Sequence, residues 1–250
     1  MFSRYVSQFI LIMFLVPASA IATDLSFNPN AQEMLLMPPY CKVKFTAPQD
    51  SPEWQAWRAR IGENFIDLHH YCAALNFVNR YWGARNALDR SFYLKEAMGN
   101  FDYMVKAAKP GFPLLAELYS NRGDVFKLQG QPAQAIEDYN RAIKINPGLS
   151  KPYLQLIDLY EGEKQRGKSL EVATQGVRNN PASKALQRRY LELGGKRPFP
   201  KPAQAEASAD APATKSESGA SEQVAPARTT DEPPPKIGSP TNPYCRFCPD

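Results

Sequence analysis

Apolar side chains recur every three or four residues through the middle of the chain. The clearest run lies in residues 54–72 and consists of Trp54, Trp57, Ile61, Phe65, Leu68 and Cys72. This spacing is typical of one buried helical face. Ser51 suits the N-cap, Pro52 suits the first helical position, and Gly62 is expected to divide the run into two helices. Helical patterns continue to about Leu193 without a convincing strand pattern, so the sequence predicts an all-α fold.

The first 22 residues have the pattern of a signal peptide. Arg4 supplies the positive end, residues 9–16 are apolar, and either Ala18-Ser19-Ala20 or Ala20-Ile21-Ala22 offers a cleavage site. The apolar segment is too short to span a bilayer, and a buried N-terminal helix is the alternative interpretation. We therefore expect a mature chain that is periplasmic or secreted and has no membrane span.

Residues 23–50 form an N-terminal arm with few periodic signals. Pro38-Pro39 is expected to force an extended backbone before Tyr40 and Cys41.

The C-terminal part has a different composition. Residues 195–242 are rich in Pro, Ala and Ser, and no Phe, Trp or Tyr occurs between Lys201 and Asn242. Such a segment cannot bury enough apolar area to offset its backbone entropy, so we predict a disordered linker. Residues 243–250 then form a Cys-containing tip, which is either a functional hook on a tether or a frayed terminus.

Charge and composition narrow the function classes. The chain has 30 Lys and Arg against 25 Asp and Glu, a formal net charge of +5. We find no basic run interleaved with aromatic residues, which argues against nucleic acid as a partner. We also find no nucleophile–base set, phosphate-binding loop or catalytic carboxylate pair, so the sequence predicts a non-enzyme without a cofactor.

Four cysteines are present, namely Cys41, Cys72, Cys245 and Cys248. In an oxidising compartment an even number favours disulfides, and four cysteines allow three connectivities. Pairing of near neighbours would join Cys41 to Cys72 and Cys245 to Cys248. The alternative is a thiol-redox or metal-binding protein that uses the terminal Cys-x-x-Cys with Cys72 or with His69 or His70. We favour the disulfides and predict no metal site.

Prolines divide the helical region at a fixed interval. Pro113, Pro147 and Pro181 are each 34 residues apart, which is the period of the tetratricopeptide repeat. The residues of the repeat starting at Ala116 carry the resemblance: Tyr119, Gly123, Phe126, Ala135, Tyr139 and Ala142. The chain thus resembles the tetratricopeptide-repeat family. In this pattern Gly123 and Ala135 are expected to meet where two antiparallel helices pack closely.

The resemblance implies a helical-hairpin repeat array. It divides the helical region into a divergent repeat region at 51–115, repeats at 116–149 and 150–183, and a capping helix at 184–194. Stacked hairpins leave a concave groove lined by the first helix of each pair. The groove positions carried over from the family are Glu117, Ser120, Asn121, Asp124, Lys127, Lys151, Leu154, Gln155, Asp158 and Glu161.

The resemblance also implies a binding function for this groove. Asn121 and Lys151 stand where carboxylate-clamping members keep an Asn and a Lys, but Gln155 stands where they keep an Arg. This departure argues against a clamp for a C-terminal carboxylate, and the polar residues could instead merely solvate an exposed face. We expect an exported scaffold that binds another protein or peptide, with cell-envelope assembly or secretion as a possible setting.

Overall fold

The computed structural model describes residues 26–203, a range that contains helices and no strand. The helices are α1 (Ala31–Leu35), α2 (Pro39–Thr46), α3 (Pro52–Ile61), α4 (Leu68–Gly83), α5 (Ala87–Ala107), α6 (Leu115–Leu128), α7 (Pro132–Ile145), α8 (Ser150–Gly162), α9 (Arg166–Asn179) and α10 (Lys184–Glu192), and a 3₁₀ turn spans Gly62–Phe65. The predicted signal peptide, most of the predicted linker and the predicted C-terminal tip lie outside the described residues.

Helices α4 to α9 pack as three successive hairpins. Within each hairpin the two helices make extensive contacts, α4 with α5, α6 with α7, and α8 with α9, and α10 packs on the last pair. The first helices also contact one another, α4 with α6, α6 with α8, and α8 with α10, so they lie side by side on one face. The helical-hairpin array with a terminal helix that the sequence predicts is confirmed.

The helix boundaries follow from local chemistry. Ser51 caps α3 by accepting a hydrogen bond from the Trp54 N–H at 3.3 Å, and Gly62, at φ 78°, ends that helix as predicted. Asn86 caps α5 in the same way, with the Asp89 N–H 2.8 Å from its side-chain oxygen. Helix α5 continues through Gly99 without interruption, which makes it longer than its partner α4.

The N-terminal arm is helical rather than extended. The backbone at Pro38 is extended, with φ −56° and ψ 152°, but Pro39 occupies the first position of α2. Proline favours that position because it has no N–H to leave unsatisfied and its φ already suits a helix. The expectation of an extended segment before Cys41 is therefore wrong, and Tyr40 and Cys41 are presented to the core from a helix.

A buried ion pair holds the start of the arm against the array. Arg80 of α4 contacts Glu33 of α1, with Nε 2.6 Å from Oε1, and its side chain is 5% exposed. Glu33 also accepts hydrogen bonds from the Asn30 backbone and the Asn76 side chain. Burial alone would raise the pKa of Glu33, but the hydrogen bonds from Arg80, Asn30 and Asn76 outweigh it and hold this pKa below its usual value.

A disulfide joins the arm to the array. Cys41 of α2 and Cys72 of α4 are bonded, with their Cα atoms 5.6 Å apart, and both residues are fully buried. This is the near-neighbour pairing considered from the sequence. Tyr40 lies beside the disulfide and packs on Tyr71, with ring centroids 6.3 Å apart. Helix α2 thus closes the N-terminal end of the core.

Gly123 permits the close approach of α6 and α7, and the atoms nearest to its missing side chain belong to Tyr139. A Cβ atom placed on Gly123 would lie 2.7 Å from Cε1 of Tyr139. Tyr139 is fully buried, and its hydroxyl donates to Asp124 at 2.8 Å. The Tyr139 ring thus occupies the space that a side chain at position 123 would need, while the contact expected between Gly123 and Ala135 stays a prediction.

Gly123→Ala is expected to lower the free energy of unfolding by about 1–3 kcal/mol, because the added methyl group overpacks a ring that is fixed at both ends. Gly99→Ala is the matched control, since a Cβ atom there meets nothing within 4 Å. At this exposed position in the middle of α5, the second change should raise the free energy of unfolding by about 0.5–1 kcal/mol. Urea unfolding of both variants measures the difference, and equal shifts would contradict the packing described.

The chain stays in contact with the array after α10. The Tyr190 hydroxyl hydrogen-bonds to the backbone of Lys196 at 3.3 Å, and Phe199 packs on the Tyr190 ring with centroids 6.0 Å apart. The sequence places the start of the linker at residue 195, whereas the structure holds the segment as far as Phe199 against α10.

Candidate functional site

The face formed by the first helices carries most of the groove positions expected from the sequence. We call this face the inner face and define it by α4, α6 and α8. Asn121, Asp124 and Lys127 lie on α6, and Lys151 and Gln155 lie on α8. Because these helices are adjacent, side chains from successive hairpins can reach one another across the inner face.

Lys151 is the centre of a hydrogen-bonded network on the inner face. Its Nζ lies 2.6 Å from Oδ2 of Asp124 and 2.8 Å from Oδ1 of Asn121. The Asn121 amide in turn donates to the Tyr71 hydroxyl on α4 at 2.7 Å, and Asp124 accepts from Tyr139. The network therefore connects all three first helices, and it fixes the side chains of Asn121 and Lys151 before any partner arrives.

Two further contacts extend this polar surface towards the C-terminus. The Lys127 ammonium donates to the Gln155 side-chain oxygen at 2.9 Å. Arg189 of α10 contacts Asp158 at 2.9 Å and also pairs with Glu161. Gln155, where the family's clamp has an Arg, thus accepts a hydrogen bond instead of offering a positive charge.

Two of the expected groove residues have little surface to offer. Ser120 is 1% exposed and Leu154 is 9% exposed. Leu154 belongs to the apolar core of the C-terminal repeats, and the Ser120 hydroxyl is buried without a hydrogen-bond partner among the described residues. In this conformation the remaining eight expected positions carry the accessible part of the surface.

Glu117 differs from the other charged residues of the inner face. Its Oε2 atom is buried and has no hydrogen-bond partner in the described part of the chain. Burial raises the pKa of this carboxyl group above its usual value, and only the backbone N–H of Glu117 opposes the shift. The nearby hydroxyl groups of Tyr40 and Tyr71 are buried as well, and burial raises the pKa of each. A buried carboxylate oxygen without a hydrogen-bond donor lowers the stability of the folded protein.

Glu117→Gln is expected to stabilise the protein at pH 7 by on the order of 1 kcal/mol, because it removes a poorly solvated charge. Since the folded-state pKa is raised, the penalty is absent below the ordinary glutamate pKa and develops as the pH rises through the folded-state pKa. The gain should therefore disappear near pH 4. Urea unfolding at both pH values tests this, with Glu171→Gln on the exposed face of α9 as the control. A gain of the same size at pH 4 would contradict the argument.

Sequence reasoning missed two residues of this surface. The groove positions expected from the repeat include neither Tyr71 of α4 nor Arg189 of α10. Both are long side chains whose polar ends reach a neighbouring helix, Tyr71 to Asn121 and Arg189 to Asp158. Helical periodicity reports which face carries the body of a side chain, and it does not report where the tip ends.

The thiol or metal alternative depends on residues that the structure places differently. Cys72 is bonded to Cys41 and is fully buried, so in this form it has no thiol to offer. His69 and His70 direct their Nδ1 atoms to Ile66 and Asn100. Within residues 26–203, no group of three or more His, Cys, Asp or Glu residues is placed to hold a metal ion. Cys245 and Cys248 lie outside the described residues.

Comparison with known proteins addresses the repeat directly. The family model of the tetratricopeptide repeat matches residues 116–149, which are α6, α7 and the turn that follows. This segment therefore resembles the tetratricopeptide repeat in sequence as well as in its pair of antiparallel helices. Its bounds are those predicted from the proline interval, and its first helix carries Glu117, Asn121, Asp124 and Lys127. The repeat therefore supplies half of the polar residues of the inner face.

One curated relative covers a wider part of the chain. Human sperm-associated antigen 1 is 33% identical over 88 residues, which is 34% of this chain and 10% of that protein. The chain therefore spans about a tenth of the length of this relative. No solved structure matches the chain significantly. A tetratricopeptide repeat within an array of helical hairpins supports a protein–protein interaction scaffold.

None of the helices between residues 26 and 203 combines the length and the apolar character that a membrane span requires.

Proposed function

We propose that the protein is a non-enzymatic scaffold that binds a segment of another protein along the inner face of its helical array. The observation that carries the proposal is the polar surface shared by α4, α6 and α8, in which Lys151 ties Asn121 to Asp124. Side chains that are already held in place lose little conformational entropy when a partner binds. This surface is therefore better prepared for recognition than a merely solvated helix face.

Glu117 indicates which chemical group a bound segment would place near α6. It is a carboxyl group of the inner face with a buried oxygen that has no hydrogen-bond partner among the described residues. A donor from a partner, such as an amide or an ammonium group, would satisfy that oxygen once the side chain turns outward. We expect the bound segment to present such a donor near α6 rather than a C-terminal carboxylate, because Gln155 offers no positive charge.

Site-specific photo-crosslinking tests the proposal. A crosslinking amino acid at Asp158, on the inner face, should capture a defined partner from cells that express the full chain. The same amino acid at Gln134 or Asn140, exposed on α7, is the matched control and should capture the partner weakly or not at all. Capture with equal efficiency from α7 would place binding elsewhere and overturn the proposal.

We also propose that the chain is exported before it functions, in cell-envelope assembly or secretion. The signal-peptide pattern of residues 1–22 and the Cys41–Cys72 pairing, which an oxidising compartment would preserve, support this proposal. Mass spectrometry of the purified protein should find a new N-terminus close to residue 21 or 23. Recovery of Met1 at the N-terminus together with free Cys41 thiol would contradict it.

A further inference from the structure

The positive charge of the described chain is concentrated at one end of the array. Residues 26–163 contain fifteen Lys and Arg against fifteen Asp and Glu, so they are formally neutral. Residues 164–201 contain ten Lys and Arg against two glutamates, so they carry a formal charge of +8. A global charge count hides this asymmetry, because the remaining residues to position 250 are net acidic.

Eight of these ten basic residues lie near the start of α9, on the exposed side of α10 or in residues 196–201. Lys184, Arg188 and Leu191 follow one another at helical spacing on the exposed side of α10. The Arg166 guanidinium at the start of α9 donates to the Glu192 carbonyl at 2.8 Å, which places the start of α9 beside the end of α10. Contacts of Tyr190 with Lys196 hold the following residues there too. We call this surface, formed by the start of α9, the exposed side of α10 and residues 196–201, the basic end.

The basic residues of the basic end, which do not include Arg178 or Arg189, form no ion pair with an acidic side chain of residues 26–203. Of the two glutamates, Glu171 is exposed on α9 and Glu192 pairs with Arg189. Arg189 turns towards the inner face to meet Asp158 and Glu161. Without Arg178 and Arg189, the basic end has eight basic residues against two glutamates, a formal charge of +6. The segment that follows, residues 202–250, has seven acidic and four basic residues, so its net charge of −3 would leave +3 even if all of it were bound there.

We propose that the basic end is a docking surface for the anionic phospholipid headgroups of a membrane. The charge is complementary, and each lysine or arginine near an anionic bilayer contributes about 1 kcal/mol of attraction. Leu191, 37% exposed, lies on the same stripe as Lys184 and Arg188 and can enter the headgroup region. The aromatic rings nearby, Tyr190 and Phe199, pack on each other and do not offer the free stacking surface that single-stranded nucleic acid uses.

This inference is independent of the inner face, because the basic end lies on the solvent side of the terminal helix. A membrane bound there would leave α4, α6 and α8 free for a protein partner. The scaffold would then hold that partner close to a bilayer without any helix crossing it.

Vesicle cosedimentation of the full chain tests the proposal. We expect binding to phosphatidylcholine vesicles that contain about one third phosphatidylglycerol, little binding to phosphatidylcholine alone, and loss of binding as salt rises well above about 0.15 M. The triple variant Lys184→Gln, Arg188→Gln and Lys196→Gln should bind roughly fivefold more weakly per charge removed, on the order of a hundredfold in all. Circular dichroism should show that the variant keeps its helices.

The matched control removes the same number of charges from the neutral part of the array. Lys95→Gln, Lys109→Gln and Lys144→Gln replace exposed lysines and should leave vesicle binding within about threefold of the unmodified chain. Equal losses in the two triple variants would show a diffuse charge effect and overturn the proposal. So would tighter binding to duplex DNA than to the anionic vesicles, or no vesicle binding at low salt.

Discussion

Replacing Cys41 and Cys72 together by alanine should lower the free energy of unfolding by about 3–4 kcal/mol. The disulfide closes a loop with a sequence separation of 31, so its loss returns that loop's entropy to the unfolded chain. Both residues are fully buried, and alanine keeps the site apolar. Guanidinium unfolding of the oxidised protein and of the double variant gives the difference.

A reductant supplies the control for this prediction. Reduction should destabilise the unmodified protein by a similar amount and should leave the double variant unchanged. If the double variant unfolds at the same denaturant concentration as the oxidised protein, then α2 is held by packing alone and the disulfide contributes nothing measurable.

Asp138→Ala should lower the free energy of unfolding by about 3 kcal/mol, at the low end of the cost of breaking a buried ion pair. Asp138 receives two hydrogen bonds from Arg122, at 2.7 and 2.8 Å, and its side chain is 3% exposed. Without it the Arg122 guanidinium, 12% exposed, keeps Asp102 at 2.9 Å as its one ion-pair partner among the described residues. Because Asp102 lies on α5, the change loosens the junction of two hairpins as well as the α6–α7 contact. Urea unfolding of the purified variant measures the loss.

The neighbouring residue offers a close control. Glu137 pairs with Arg141 on the exposed side of α7, and both side chains are about half exposed. Glu137→Ala removes a carboxylate one position away in the same helix, and it should change stability by less than about 0.5 kcal/mol. Similar losses in both variants would point to a helix-propensity effect and not to the buried pair.

Much of the array could be predicted because its signals are local and repeated. The 34-residue interval between prolines and the apolar stripes set the helices of 68–193, and the structure reproduces them within a few residues. The helices of the N-terminal arm could not be predicted in this way, because α1 and α2 are short and have little periodicity. Their stability comes from contacts made far along the chain, such as Glu33 with Arg80, which a local pattern does not encode.

The repeat pattern indicates which residues share the inner face, but it does not indicate which hydrogen bonds their side chains form. Asn121 and Lys151 were placed on one face by analogy with the repeat, and they are in contact. Their links to Tyr71 and Asp124, and the empty hydrogen-bonding capacity of Glu117, depend on side-chain rotamers in three different helices. Gly123 shows the same limit, since the repeat pattern calls for a small residue but does not say which ring will face it.

The Cys41–Cys72 disulfide also decides how the chain would carry a mechanical load. Tension applied at the N-terminus reaches Cys41 and passes through the sulfur atoms directly to Cys72. Residues 42–71, which include α3 and the 3₁₀ turn, therefore lie outside the path of the force. At about 3.4 Å per extended residue, roughly 100 Å of chain in this loop cannot be extended until the disulfide is reduced. Tension between the N-terminus and the C-terminal end of the array would thus act on the segment before Cys41 and on the helices after Cys72, and would leave the loop between them slack.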